Sequence, residues 1–168
     1  MISVIISFLI YLIYNIVTIK LFGIPDSLSN TFYLYKDKKS TLRLLFPTMM
    51  FIIVAFLMPA WLDISAGKNL QFMAFLAAGS IMFVGAAPAF KENSLENKVH
   101  SVSAICAALF ALLWVALVAK MWYMIILWAI VIIHCAVFTN TYKTAYIYWL
   151  ETIAFLSTFT SIILYFIG

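Results

Sequence analysis

Residues 100–138 read HSVSAICAALFALLWVALVAKMWYMIILWAIVIIHCAVF, and Lys120 is the one Asp, Glu, Lys or Arg in that stretch. A helix that crosses a bilayer needs about 20 mainly apolar residues. The stretch therefore holds two spans, about 100–119 and 121–138, hinged at Lys120 beside Met121 and Trp122. The join is either a very tight connection or a bend in one element. No period-2 alternation runs through it, and in lipid only helices and closed barrels satisfy every backbone amide and carbonyl. The stretch reads as helix.

Working outward, cuts at the polar residues give four more spans, about 2–22, 44–62, 70–90 and 144–167. The expected fold is all-α: a polytopic membrane bundle of six transmembrane helices forming a single domain over 1–168. Composition agrees. Of 168 residues, 67% are hydrophobic and 10% charged, against roughly 45–50% and a quarter in soluble domains. Mean hydropathy is +1.12. So few charges cannot coat a water-soluble globule, which excludes an ordinary cytosolic enzyme, a disordered tail, a nucleic-acid-binding module and a disulfide scaffold. The first span is expected to stay in the mature protein. It has no basic segment before it and no small-residue cleavage site after it. Cys106 and Cys135 fall within spans without a Cys-x-x-Cys motif and read as small buried hydrophobes.

Lys and Arg counted by loop set the orientation. The first loop with the end of its helix carries Lys20, Lys36, Lys38, Lys39 and Arg43, the third Lys91 and Lys98, the fifth Lys143. The second has Lys68 and the fourth Lys120. Loops one, three and five are thus expected in the cytoplasm, with the N-terminus and the C-terminus outside, in a bacterial-type cytoplasmic (inner) membrane. Trp61, Trp122 and Tyr123 then fall at the outer interface, and Asp63 follows a kink at Pro59. The net charge of +4 attracts anionic lipid heads; no nucleic acid partner is implied.

The first loop opens Ile24-Pro25-Asp26-Ser27-Leu28-Ser29-Asn30-Thr31, where Pro followed by Asp and Ser is helix-start chemistry. Phe32, Tyr33 and Tyr35 precede Lys36-Asp37-Lys38-Lys39. Segment 25–40 therefore reads as a short interfacial helix beneath the inner headgroups. It is either a gate or lipid-contacting lip, or a connector anchored by its aromatics. The third span (Ala74, Ala77, Ala78, Gly79, Ser80, Gly85, Ala86, Ala87) and the fourth (Ala104, Ala107, Ala108, Ala111) are rich in small residues. Small residues let backbones approach closely in lipid, so these two helices should form the tight centre of the bundle.

Ionisable residues inside spans are expensive and mark candidate sites. His100 opens the fourth span, His134 lies near the inward end of the fifth, and Glu151 about 12 Å into the sixth by a rise of about 1.5 Å per residue. Side chains lean toward their helix N-terminus, so His134 and Glu151 should converge in depth and touch. Glu151, Ala154, Thr158 and Ser161 fall on one helical stripe, which should face the interior or a cavity. His134, Glu151 and His100 are the catalytic candidates. As two imidazoles and a carboxylate they are also the candidates for a metal such as zinc or iron. Two histidines would also suit haem. A His–Glu pair suits a proton relay or a general base with its orienting partner on a lipid substrate. It equally suits a structural bond between helices. No phosphate loop, nucleophile elbow or cofactor fingerprint occurs, so no cofactor is expected.

The run Phe83-Val84-Gly85-Ala86-Ala87-Pro88-Ala89-Phe90, followed by a charged loop and Val99-His100-Ser101-Val102-Ser103-Ala104, resembles a pattern in the DRAM/Sfk-like group of six-helix membrane proteins. There the third helix ends in a Gly/Phe/Pro cluster and the fourth opens with a His followed by small residues. The resemblance covers about 22 residues and maps Pro88 and His100. It implies a six-helix bundle with a lipid-linked role.

Together these readings predict a pocket open to the cytoplasmic leaflet for a lipid or small amphipathic ligand. His134 and Glu151 form its polar floor and His100 its mouth. Lys36, Lys38, Lys39 and Arg43 attract an anionic head, and Ser101, Thr158 and Ser161 complete the ligand-binding set. The alternatives are an ion- or proton-coupled transporter or channel, or a structural subunit without chemistry. Homo-oligomerisation is open, and the expected partners are membrane lipids.

Overall fold

The computed structural model of the chain describes residues 1–137 and 145–168, without the side chains of Cys135 and Ala136. The expectations for Cys135 and Lys143 thus lie outside the described residues. Those described fold into helices α1 (Ile2–Phe22), α2 (Thr31–Lys38), α3 (Leu45–Ser65), α4 (Phe72–Ala86), α5 (Ser94–Leu113), α6 (Met124–Val137) and α7 (Tyr146–Ile167). A 3-10 turn over Ser40–Leu44 leads into α3, and a π-helical turn over Trp114–Val118 continues α5.

Four of these stretches are long and apolar enough to cross a membrane: Ile2–Phe22, Ser40–Ser65, Ser94–Val118 and Tyr146–Ile167. The other two expected spans are shorter. Helix α4 has 15 residues, a rise of about 22 Å against a hydrocarbon core of about 30 Å, and the described residues of α6 number 14, up to Val137. The reasons are local. Ala87 leaves helical geometry at φ −116°, ψ 58°, as a residue preceding a proline tends to. At the other break, Lys120 adopts φ 58°, a left-handed conformation that stops a helix. The Ala119 amide donates to Trp114 O at 3.0 Å and the Met121 amide to Val115 O at 3.0 Å. This wide cap ends α5, so the Lys120 hinge is a tight turn rather than a bend within one helix.

Helix α5 starts earlier than its apolar pattern suggests. Asn93 caps it, its side chain accepting from the Leu95 and Glu96 amides, and Glu96 Oε2 accepts the Ala89 amide at 3.0 Å. The polar run Ser94–Lys98 is therefore the first turn of the helix, and His100 lies in its second turn.

The connections sort into two ends. The phenol oxygen of Tyr33 in α2 accepts the Lys91 amide at 2.7 Å, Lys36 pairs with Glu92, and the Tyr148 amide donates to Asp26 O at 3.1 Å. These bonds join the first loop, the α4–α5 loop and the start of α7. At the opposite end Lys68 Nζ donates to Val118 O at 3.1 Å and sits 4.9 Å over the Tyr165 ring. That gathers the α3–α4 loop, the end of α5 and the end of α7.

The most extensive contact is between α4 and α5, followed by α3 with α4 and α1 with α3. The small faces expected at the centre explain this closeness. A Cβ on Gly85 would stand 3.0 Å from Met50 Cβ and 3.5 Å from Pro47 O, so α3 crosses α4 where any larger residue presses on Met50. Trp61 and Trp114 meet edge to face at 5.6 Å, and the Trp114 indole N–H donates to Ser65 Oγ at 2.7 Å. Trp61 is fully buried among protein side chains and turned away from any lipid interface, whereas Trp122 and Tyr123 are exposed. Outward faces of α1 and α6 present Ile13, Ile16, Ile130 and Ile133. Apolar exposure on this scale belongs in lipid.

Candidate functional site

A cavity of about 60 Å³, open on one side as a cleft, lies between α3, α4, α5 and α7. Ala104, Ala107, Ala108 and Ala111 form its α5 wall, at the i, i+3, i+4, i+7 spacing of one helical face. The tight α4–α5 packing leaves these methyls short of α7, and the gap is the cleft. Opposite stand Trp61 and Leu57 from α3, Ile81 and Val84 from α4, and Phe155 and Phe159 from α7. The lining carries one carboxylate, Glu151, one hydroxyl, Thr158, and the indole of Trp61, whose N–H is buried without a hydrogen-bond partner among the described residues. The α7 stripe is as expected: Glu151, Ala154 and Thr158 line the cleft, and Ser161 is fully buried beyond them.

Glu151 lies five residues into α7, about 8 Å from its start, shallower than expected because the helix begins at Tyr146. Its Oε2 accepts the Leu28 amide at 2.6 Å. The amide belongs to the first loop, which does not lie on the surface. Ser27, Leu28, Ser29, Asn30, Thr31 and Phe32 are all buried. The loop enters the end of the bundle as a plug, and Leu28 lines the cleft. Its polar atoms pair internally. Ser27 Oγ accepts the Asn30 amide at 3.0 Å and bonds Ser29 Oγ at 3.1 Å, while Thr31 Oγ1 bonds the Tyr14 hydroxyl of α1. Asp26 O takes the otherwise free Tyr148 amide in the first turn of α7. Residues 26–28 are thus laced along the first two turns of α7. A short helix falls within the expected segment 25–40 as α2, with Phe32 and Tyr35 turned into the core.

A polar seam runs beside the plug between α1 and α7. The Tyr148 hydroxyl donates to Asn15 Oδ1 at 2.9 Å, and Asn15 Nδ2 donates to Tyr11 O at 2.8 Å. The Tyr11 hydroxyl and Thr152 Oγ1 are buried next to each other in the same seam, neither in a well-formed hydrogen bond among the described residues. Asn15 in the middle of an apolar span was the signal that could have located this seam; no spacing in the first loop announced Leu28.

The other expected site residues are placed as follows. His134 is exposed on α6; the group that meets the Glu151 carboxylate is the Leu28 amide, not the imidazole. Helix α6 is apolar on every face, so sequence gave no measure of its rotation. His100 is buried, its Nδ1 bonding Ala87 O at 2.9 Å and its ring stacked 4.4 Å from Phe90. It ties α5 to the C-terminal carbonyls of α4 and does not line the cleft. Among the described residues no three His, Cys, Asp or Glu side chains gather to hold a metal, so His100, His134 and Glu151 do not form the metal site considered for them. Lys36 is engaged with Glu92, Lys38 sits 5.7 Å over Phe22, and Lys39 and Arg43 are exposed. Ser101 is exposed and donates to Asn97 Oδ1. Of the expected ligand-binding set, only Thr158 lines the cleft. Cys106 is a free, half-buried thiol.

No family model, curated protein or solved structure matches this chain.

Proposed function

We propose that the chain is a multi-pass protein of the cytoplasmic (inner) membrane that binds a lipid or small amphipathic ligand in the cleft floored by Glu151. The observation that carries this reading is the composition of the cleft: apolar walls from four helices converging on one half-buried carboxylate. Binding sites for small molecules have that character, with few polar groups placed to orient the ligand. An ionisable group at this depth in a lipid-embedded bundle is costly unless it is used.

Six passes are part of the proposal, with α4 and α6 as spans beside the four long ones. In support, the described loops alternate between two ends. Seven Lys and Arg (Lys20, Lys36, Lys38, Lys39, Arg43, Lys91, Lys98) belong to the end where the first loop packs, against Lys68 and Lys120 at the other. That bias puts the plug and the Glu151 end of the cleft toward the cytoplasmic leaflet and both termini outside. The resemblance of the Phe83–Phe90 and Val99–Ala104 segments to the DRAM/Sfk-like group is carried within the same proposal. Thiol labelling of Ser40→Cys checks the orientation: reagent confined to the cytoplasmic side should react, and labelling from outside alone would overturn it.

Native mass spectrometry of the detergent-purified protein tests the function. Wild type should retain a discrete amphiphile, and Ala108→Phe, which fills the cleft from the α5 wall, should lose it while remaining folded. No adduct, or the same adduct in both proteins, would contradict the proposal.

A further inference from the structure

Resting on that reading of the cleft, we propose that its occupant is a single-chain amphiphile whose polar end is a protonated amine, seated on Glu151 Oε1. Three observations lead there. The Leu28 amide occupies Glu151 Oε2, whereas Oε1 has no hydrogen-bond partner and the carboxylate no ion-pair partner among the described residues. The second polar group in the cleft, Thr158 Oγ1, already donates its hydrogen to Ala154 O at 2.9 Å, so only its lone pairs are free. A head seated on Glu151 therefore meets an acceptor and must donate; Thr158 lies two helical turns further along the cleft, and the Trp61 indole N–H, the donor in the lining, belongs to α3 beside Trp114. An ammonium brings three donors and no acceptor, and a bond between charged groups is shorter and stronger than a neutral one.

An anionic head would meet the carboxylate as a like charge. The basic side chains that would attract such a head, Lys36, Lys38, Lys39 and Arg43, do not line the cleft. The tail follows from the walls. Half-buried alanines on α5 face Phe155 and Phe159 across a cavity of about 60 Å³, room for a few water-sized spheres. A space of that size takes a short stretch of one alkyl chain and not of two.

The test uses the full chain in nanodiscs of neutral lipid, with hexadecylamine, hexadecanol and palmitate as probes and bound molecules counted by native mass spectrometry. Wild type should take one hexadecylamine per chain, at least about tenfold more tightly than either other probe. Glu151→Gln keeps an acceptor for Leu28 but loses the charge, and should bring the amine down to the level of the alcohol, a loss of about tenfold or more. Ala108→Phe should abolish specific binding of all three. Equal binding of amine and alcohol, or a preference for palmitate, with Ala108→Phe still blocking, would overturn the amine assignment and leave the cleft reading standing. Binding that ignores Ala108→Phe, or no binding at all, would overturn both. If Glu151→Gln does not fold, the order of the three probes on wild type decides alone.

Discussion

Replacing Glu151 with Leu should loosen the first loop from the bundle. Leu28 is 1% exposed, and its amide has the Glu151 carboxylate as acceptor at 2.6 Å. Without that acceptor a buried N–H is orphaned, at a cost of about 1–3 kcal/mol. Lost charge assistance places the effect in the upper part of that range. The isobutyl group gains apolar contact with the cleft walls, worth about 1 kcal/mol for the extra buried methyl groups. The net loss is about 1–2 kcal/mol, most of it local to residues 26–31. Glu151→Gln retains an acceptor and should lose about half as much. The assay is thiol labelling of Ser29→Cys, a position 4% exposed in the native protein. Its labelling rate should rise about 5–30-fold in Glu151→Leu, the factor that corresponds to one to two kcal/mol, with Glu151→Gln between. Equal rates in all three backgrounds would show that the Leu28–Glu151 bond does not hold the plug.

Other consequences follow from named contacts. Gly85→Leu drives a side chain into Met50 and the Pro47 carbonyl and should cost about 1–3 kcal/mol in reversible unfolding in mixed micelles. Gly79→Ala, where the added methyl meets nothing within 4 Å, should change stability by less than about 0.5 kcal/mol. Tyr148→Phe deletes the bond to Asn15 at 2.9 Å and should cost about 1 kcal/mol; its effect and that of Asn15→Leu should be less than additive in a double-mutant cycle. Lys120 holds φ 58°, so Lys120→Val should destabilise by about 1 kcal/mol or more while Lys120→Gly is neutral or stabilising, read by the same unfolding midpoint.

Much of this architecture is legible in the sequence, because membrane helices announce themselves by length and their close contacts by small residues. Helices α4 and α5 make the most extensive contact for that reason, and Gly85 lets α3 cross α4 closely. The Glu151–Thr158 stripe points inward because a carboxylate and a hydroxyl avoid lipid. What stayed hidden needed either helix rotation or loop pairing. Met124–Val137 is apolar all round, so nothing in it shows which way His134 turns. Asp26–Thr31 looks like a solvated loop, since its Ser, Asn and Thr side chains are polar. They are buried because each finds a partner in the loop itself or on α1 and α7. His100 looked like the opening residue of a helix, but the turn before it is capped by Asn93, and the imidazole serves the carbonyl end of α4. Helix α4 falls short of a full span because of the backbone preference that Pro88 imposes on Ala87.

The central claim is that an alkyl chain lies between the α5 alanines and the aromatic side chains of α7. A hexadecylamine carrying a diazirine in its tail, photolysed in the purified protein and followed by peptide mapping, measures this directly. The account predicts labels concentrated on Ala104–Ala111 and Ala154–Phe159, suppressed by excess unlabelled hexadecylamine. Labels spread over the outward faces of α1 and α6, at residues such as Ile13 and Ile130, and insensitive to competitor, would contradict it.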